Sequence, residues 1–164
     1  MENNDNKIKF LIVAGDPSGD IHAARLMKKM KDIQPDISFV GIGGRNMENE
    51  GLKSIIPMER ISIVGFWEVA KNYSLLRQVF NDCVEVIEKE KPAAFIPVDY
   101  PGFNIRLANK SKKYGVPVIY YIAPQLWAWG KNRAKKLVDT VDKLLVVFPF
   151  EMEYFENYGL NTAF

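Results

Sequence analysis

The segment 98–104, with the sequence Val-Asp-Tyr-Pro-Gly-Phe-Asn, constrains the fold more than any other part of the chain. It ends the apolar run 93–98, places one carboxylate, Asp99, directly after that run, and then turns at Pro101 and Gly102. A short apolar run that stops in this way is typical of a buried parallel strand. Because ligands of open α/β sheets bind at the carboxyl ends of the strands, the segment predicts a ligand site around Asp99.

Apolar strand patterns alternate with amphipathic helix patterns along the whole chain. The predicted strands are Lys9–Ala14, Ile37–Ile42, Lys53–Ile56, Ala93–Val98, Val116–Ile122 and Lys143–Phe148. The first predicted helix follows the loop 15–19, and the others are Arg45–Glu50, Phe66–Lys89, Phe103–Tyr114, Lys131–Asp139 and Glu151–Tyr158. This alternation predicts an α/β fold with a doubly wound, mostly parallel, Rossmann-like sheet. Pro97 has no amide hydrogen, so we expect it at the end of its strand.

The two longest predicted helices each carry one apolar stripe. In the first helix the stripe is Ala23, Leu26, Met30 and Ile33. In the long helix it is Val69, Tyr73, Leu76, Phe80, Cys83 and Ile87. Residues three and four apart lie on one face of a helix, so both stripes are expected to pack on the sheet.

The composition fits one globular domain and excludes several classes of function. The chain has 164 residues, 48% of them apolar and 26% charged. Its net charge of +2 is too small to indicate a nucleic acid partner, and no apolar run approaches the ~20 residues that span a bilayer. The single cysteine excludes an internal disulfide and fits a reducing cytoplasm. We expect a frayed amino terminus over residues 1–8 and one Rossmann-like domain over residues 9–164.

The loop Gly15–Asp20 joins the first strand to the first helix and is rich in small residues. Backbone amides at such a helix start can bind an anion or a sugar. The loop lacks the spacing and the lysine of nucleotide-binding loops, so the alternative of a tight turn with Ser18 or Asp20 as helix cap stays open. Asp99 has a similar alternative, because it also suits a cap of the helix that follows it, through the amides near Phe103 and Asn104.

Aromatic and basic residues lie close together after the strand 116–122. Trp127 and Trp129 stand two positions apart, and a basic run follows them, formed by Lys131, Arg133, Lys135 and Lys136. Such a run is usually a solvated helix face, but it also suits a phosphate or anionic lipid headgroups. The only histidine, His22, has no histidine or cysteine near it in the sequence, so no metal site is expected.

Five apolar residues near the start of the long helix lie off its buried stripe. They are Ile63, Val64, Phe66, Trp67 and Leu75. Apolar groups outside a core stripe indicate contact with a partner or with a membrane surface. The alternative is that they pack under a neighbouring loop.

Four segments form an ordered set of motifs, namely Ala14–Asp20, Phe39–Gly44, Val98–Asn104 and Pro124–Trp129. Together they resemble the amino-terminal half of the lipid-A-disaccharide synthase family, over residues 9–164. The resemblance implies the amino-terminal half of a GT-B fold, which is a glycosyltransferase built from two Rossmann domains. Such an enzyme joins UDP-2,3-diacylglucosamine to 2,3-diacylglucosamine 1-phosphate and releases UDP, in lipid A biosynthesis.

The resemblance also implies roles for individual residues. Asp99 matches the essential aspartate of the family, which is the expected catalytic base on the acceptor hydroxyl. The implied substrate-binding residues are Gly15, Asp16, Ser18, Gly19, Asp20, Asn104, Gln125, Trp127, Trp129 and Arg133. Contacts with acyl chains or membrane are expected from Val64, Phe66, Trp67 and Leu75. No cofactor is expected.

The sequence departs from the family pattern at three positions. Asp16 stands where glutamate is usual, Gly102 where aspartate is common, and Ala123 where serine is common. The resemblance further implies that a second, donor-binding domain is missing and that the chain is an excised or split half, inactive alone.

The expected partners follow from the same resemblance. They are the acylated glucosamine phosphate acceptor, the UDP-sugar donor held by the second domain, and the inner face of the cytoplasmic membrane, where the chain is peripheral. A homo-oligomer is possible, and no nucleic acid is expected. The alternative function is a non-catalytic Rossmann-like module that binds a nucleotide or a lipid, and a weaker one is a scaffold domain.

Overall fold

Strands and helices alternate along the chain, as the sequence predicts. The computed structural model describes residues 7–62, 73–124 and 137–164. Its strands are β1 (Ile8–Ala14), β2 (Ile37–Gly43), β3 (Leu52–Pro57), β4 (Ala94–Val98), β5 (Ile119–Tyr121), β6 (Lys143–Leu145) and β7 (Thr162–Ala163). Its helices are α1 (Pro17–Ile33), α2 (Arg45–Asn49), α3 (Glu59–Ser62), α4 (Tyr73–Glu90), α5 (Pro101–Lys113) and α6 (Pro149–Glu156).

The strands form one sheet in the order β3-β2-β1-β4-β5-β6-β7. Every pair of neighbouring strands in it is parallel. The chain moves outward from β1 to β3, returns to the other side of β1 with β4, and continues outward to β7. This is the doubly wound, Rossmann-like arrangement, and the predicted fold class is confirmed.

The two faces of the sheet carry separate cores, because successive side chains of a strand point to opposite faces. On β1, Leu11 and Val13 belong to the larger core, whereas Ile12 and Ala14 belong to the smaller one. The larger core is completed by α4 and α5, through Val79, Cys83, Ile87, Phe103, Leu107 and Ala108. The smaller core is completed by α1, through Ala23, Ala24 and Met27.

The predicted helix stripes are partly wrong for both helices. In α4, Tyr73 was expected on the buried stripe but is 60% exposed at the first residue of the helix, and Val69 lies outside the described residues. In α4, Cys83 and Ile87 are fully buried, and burial followed by the charge of Asp82 raises the pKa of the Cys83 thiol to about 12. In α1, Ile33 was expected in the core but is 84% exposed. It is the last residue of that helix, and the buried face is built instead around small residues that allow close approach to the sheet.

Pro97 lies one residue inside the end of β4, where it pairs with Val13 of β1. The amides on either side of it along the ladder to β5 donate normally, from Phe95 to the Pro117 carbonyl at 2.8 Å and from Asp99 to the Tyr121 carbonyl at 3.2 Å. Pro97 has no amide hydrogen to donate between them, so the β4–β5 ladder is interrupted there. The prediction that placed Pro97 at the strand end is therefore wrong by one residue.

Glycine is required at one position of β2. Gly41 has a φ of +150°, and a Cβ atom there would overlap the carbonyl oxygen of Ile12 on β1. We expect Gly41→Ala to lower the free energy of unfolding by about 3 kcal/mol or more, because backbone in a central ladder cannot move aside freely.

Urea unfolding of Gly41→Ala and of a matched control tests this. In Gly102→Ala the new methyl group meets nothing within 4 Å, and alanine has a higher helix propensity than glycine, here in the first turn of α5. The control should be as stable as the unchanged chain or slightly more stable. Equal stability of the two variants would contradict the packing described for Gly41.

Candidate active site

The crevice of the sheet lies where the strand order reverses, between β1 and β4. The last residues of these strands, Ala14 and Val98, pair with each other. Asp16 follows β1 by two residues, and Asp99 follows β4 directly. The predicted loop and the predicted catalytic aspartate are thus brought to one edge of the sheet.

Asp16 is the cap of α1. Its side chain accepts a hydrogen bond from the Gly19 amide at 2.8 Å, and Pro17 occupies the first helical turn. The alternative in which Ser18 or Asp20 caps the helix is therefore wrong. Ser18 is exposed on the first turn, whereas Gly19 is buried. Asp16 is half-buried, and Pro17 is exposed beside Ser18.

Gly15 makes room for the ring of Tyr100. A Cβ atom at Gly15 would lie 2.6 Å from the Cδ2 atom of that ring, which is too close for any side chain. Tyr100 therefore packs across the end of β1. The ring also stacks on Phe103, with 5.9 Å between centroids, and Phe103 meets Phe80 of α4 edge to face at 5.6 Å. An aromatic row thus leads from the crevice to α4.

Asp20 uses its carboxylate to hold the start of α2. It is 3% exposed, and it accepts hydrogen bonds from the amides of Gly44 at 2.9 Å, Asn46 at 3.1 Å and Met47 at 3.0 Å. The side-chain amide of Asn46 adds a fourth bond at 2.7 Å. A Cβ atom at Gly44 would come within 2.8 Å of the same carboxylate, so the glycine permits this approach. These contacts support a role in shaping the loops; direct contact of Asp20 with substrate stays a prediction.

Asp99 and Tyr100 form a left-handed turn between β4 and α5, with φ values of 45° and 48°. Tyr100 is the N-cap residue of α5, and its carbonyl accepts the Asn104 amide at 3.1 Å. The Asn104 amide is therefore bonded to backbone and not to the Asp99 carboxylate, which weighs against the capping alternative for Asp99.

The Asp99 carboxyl group lies in an unusual electrostatic environment. Burial, followed by the negative charge of Asp16, raises the pKa of the Asp99 carboxyl above its ordinary value, while a hydrogen bond from the Tyr100 amide opposes the shift. A carboxylate with a raised pKa in a crevice is a candidate proton acceptor.

Two buried side chains hold the Asp99 carbonyl. The Asn104 side-chain amide donates to it at 2.8 Å and the Tyr120 hydroxyl donates to it at 2.6 Å. Asn104 was predicted to bind substrate, and here it is fully buried. Tyr120 was not predicted at all, although a tyrosine in a buried strand usually needs a partner for its hydroxyl group.

Several known proteins similar to this chain are lipid-A-disaccharide synthases. Residues 10–164 match the family model described as lipid-A-disaccharide synthetase. The chain is 41% identical to lipid-A-disaccharide synthase 1 of Legionella pneumophila over 160 residues. It is 38% identical to the lipid-A-disaccharide synthases of Trichlorobacter lovleyi, over 156 residues, and Geobacter sulfurreducens, over 163 residues. The chain belongs to the lipid-A-disaccharide synthetase family.

The three matches cover nearly all of this chain but less than half of each family member. The shares are 97%, 95% and 99% of this chain, and 42%, 41% and 42% of the relatives. The chain thus spans about two fifths of the length of the curated relatives that it matches.

Several predicted site residues of this family member lie outside the described residues. They are Gln125, Trp127, Trp129, Arg133, Val64, Phe66 and Trp67. Leu75 is described, and it is half-buried and packs against the larger core. Packing of this kind accounts for part of its apolar surface and leaves the rest available.

Other features of the described ranges bear on the chemistry of the site. Within residues 7–62, 73–124 and 137–164, no group of three histidine, cysteine or acidic residues could hold a metal ion. None of the helices in these ranges is long and apolar enough to span a bilayer. An open depression of about 230 Å³ is lined by Lys112, Pro117 and Asp142, among others. It lies at the amino ends of β5 and β6, which is the edge opposite the crevice.

The effect of the Asp16 charge on the pKa of the Asp99 carboxyl can be tested directly. We expect Asp16→Asn to lower the pKa of the Asp99 carboxyl, because the variant removes the neighbouring negative charge. The pKa should stay above the ordinary 3.8, because burial is the larger cause of the shift. Asparagine caps a helix as well as aspartate does, so α1 should keep its cap.

Carbon-13 NMR titration of the labelled aspartate carboxyls measures this pKa. Asp36→Asn is the control, since Asp36 is exposed and directly precedes β2, at the opposite edge of the sheet. It should leave the Asp99 titration unchanged. An Asp99 pKa that does not respond to Asp16→Asn would show that the two carboxyl groups do not share one crevice.

Proposed function

We propose that this chain is the acceptor-side domain of a GT-B glycosyltransferase that joins UDP-2,3-diacylglucosamine to 2,3-diacylglucosamine 1-phosphate, with release of UDP. Membership of the lipid-A-disaccharide synthetase family supports the reaction. The observation that carries the assignment is the half-buried Asp99 carboxyl, with its raised pKa, at the point where the strand order reverses. Ligands of doubly wound sheets bind at this point.

In the proposed mechanism Asp99 is the general base. Its carboxylate accepts the proton of the acceptor hydroxyl while the hydroxyl oxygen forms a bond to the anomeric carbon of the donor. The bond between that carbon and the phosphate oxygen breaks, and its electron pair leaves with UDP, so the configuration at the carbon is inverted. Because burial raises the pKa of Asp99, this carboxylate accepts a proton more readily than an exposed one does.

The other predicted substrate-binding residues fall into two groups, one suited to sugar hydroxyls and one suited to the phosphate and acyl chains. Ser18 and the backbone of Gly15 and Gly19 border the crevice and suit contacts with sugar hydroxyls. A phosphate group is repelled by the Asp16 and Asp99 carboxylates. The acceptor phosphate is therefore assigned to the basic run that includes Arg133, with Gln125, Trp127 and Trp129 beside the sugar or the acyl chains.

Turnover tests the reaction. The 164-residue chain alone should form no disaccharide, because its relatives are more than twice as long and attack requires acceptor and donor to be held together. Positioning of that kind supplies ~7–11 kcal/mol of barrier lowering. Fusion to the part of the Legionella pneumophila relative that it does not match should give activity with the two lipid substrates.

Asp99→Asn in the fused protein should lower turnover by roughly two to four orders of magnitude, the usual effect of losing a general base. Asp36→Asn, at the opposite edge of the sheet, is the matched control and should keep full turnover. Disaccharide formed by the chain alone would refute the division of the site between two domains. A fused protein that binds UDP or lipid but never turns over would favour the alternative of a binding module.

We also propose that the chain associates peripherally with the inner face of the cytoplasmic membrane. The support comes from the apolar residues off the helix stripe, Val64, Phe66 and Trp67, and from the half-buried Leu75. Their contacts with acyl chains bring the crevice to a membrane-bound acceptor.

Liposome co-sedimentation tests this association. The double variant Phe66→Ser, Trp67→Ser should lose most of its binding while its thermal unfolding stays nearly unchanged. Ile33→Ser is the control, because it removes an apolar group that is 84% exposed at the far end of α1, and it should bind like the unchanged chain. Unfolding of the double variant would show that these side chains are core and would end the membrane proposal.

A further inference from the structure

The turn that carries Asp99 is unfavourable by itself. Asp99 and Tyr100 both adopt left-handed φ values, and neither residue is a glycine. Residues with side chains hold this conformation only where the surrounding structure over-determines it. Other groups must therefore hold these two successive residues in place, and one of the two carries the candidate catalytic carboxylate.

The holding groups come from two different elements. Asn104, on α5, donates to the Asp99 carbonyl at 2.8 Å. Tyr120, on β5, donates to the same oxygen at 2.6 Å. Both side chains are fully buried, so their hydrogen bonds are shielded from water. The Asp99 amide is fixed as well, through the Tyr121 carbonyl at 3.2 Å.

Tyr120 remains a donor over the whole working range of pH. Burial, followed by the negative charge of Asp99, raises the pKa of its hydroxyl well above the ordinary value. The Tyr120 hydroxyl therefore stays protonated while the Asp99 carboxyl titrates. The Tyr120 hydroxyl contacts the Asp99 backbone, through the carbonyl oxygen at 2.6 Å.

We infer that Tyr120 and Asn104 are positioning residues, which clamp the Asp99 carbonyl, maintain the left-handed turn and so hold the Asp99 carboxylate in the crevice beside Asp16. The catalytic consequence of the clamp rests on the proposed function. The clamp itself is a statement about the turn, and it can be tested without turnover.

The position of the Asp99 carboxyl has a direct spectroscopic signature. Its pKa is raised by burial and by the Asp16 charge, so a carboxyl that moves out of the crevice loses both causes. Its pKa then falls towards the ordinary 3.8. A change that only loosened the core elsewhere would leave this titration as it is.

The experiment is a carbon-13 titration of the aspartate carboxyls in this chain. Tyr120→Phe removes one hydroxyl group and keeps the ring. The matched control is Tyr121→Phe, which removes a hydroxyl group from the next residue of β5, whose side chain packs in the smaller core on the other face of the sheet. The Asp99 signal is identified by its absence in Asp99→Asn. We expect Tyr120→Phe to lose at least half of the elevation of the Asp99 pKa, and the control to keep all of it.

A second variant protects the test against misfolding. Asn104→Ala removes the other donor and should lower the Asp99 pKa in the same direction, with circular dichroism confirming the fold in each case. An unchanged Asp99 pKa in a folded Tyr120→Phe or Asn104→Ala protein would overturn the inference. Unfolding of both variants would also overturn it, since the two side chains would then serve the stability of the sheet.

Turnover of the fused protein separates this inference from the proposed function. If both are correct, Tyr120→Phe lowers kcat by about 10-fold to 100-fold at an unchanged KM for the acceptor. The acidic limb of its pH profile then moves to lower pH, because a base with a lower pKa loses its proton earlier. Full turnover of Asp99→Asn would refute the proposed base, while the carbon-13 titration would still decide the clamp.

Discussion

The side-chain amide of Asn104 contacts three backbone carbonyls at the base of the crevice. Its Nδ2 atom lies 2.8 Å from the Asp99 carbonyl, and 3.3 and 3.4 Å from the carbonyls of Val13 and Val98, near the ends of β1 and β4. A buried donor on α5 thus links the ends of both strands to the turn that carries Asp99. An aspartate at this position would bring no donor and would bury a negative charge among carbonyl oxygens.

The strands in the middle of the sheet and the edge strand β3 were predictable, whereas the other edge strand, β7, was not. Continuous apolar runs bounded by glycine and proline predicted β1, β2 and β4 to within a residue or so at each end. β5 is shorter than its apolar run, because the ladder to β4 is interrupted opposite Pro97. The two-residue strand β7 and the four-residue helix α3 are too short for hydrophobic periodicity to reveal.

The meeting of Asp99 and the loop 15–20 at one edge of the sheet was predictable from topology, whereas the hydrogen-bond partners of Asp20 and Asn104 were not. Parallel strands end at one edge, so Asp99 and the loop 15–20 had to meet once the strand order was known. Asp20 and Asn104 carry polar groups that suit a ligand, but both contact backbone of other elements. The partners of Asp20 lie 24 to 27 positions away, and those of Asn104 include Val13, 91 positions away. Only the tertiary structure reveals such partners. The sequence offered Ser18 or Asp20 as the cap of α1, whereas Asp16 caps this helix in the structure.

In the proposed mechanism, binding of the acceptor increases the basicity of Asp99, because burial is the larger cause of its raised pKa. Burial acts more strongly than the Asp16 charge. Part of that charge is also offset by the positive end of the α1 dipole, at which Asp16 sits as cap. An acceptor that enters the crevice displaces more water from around the carboxylate and so raises its pKa further. In the proposed mechanism Asp99 is therefore the strongest base when the acceptor is in place, and the proposed clamp on its carbonyl keeps the carboxylate from turning towards solvent.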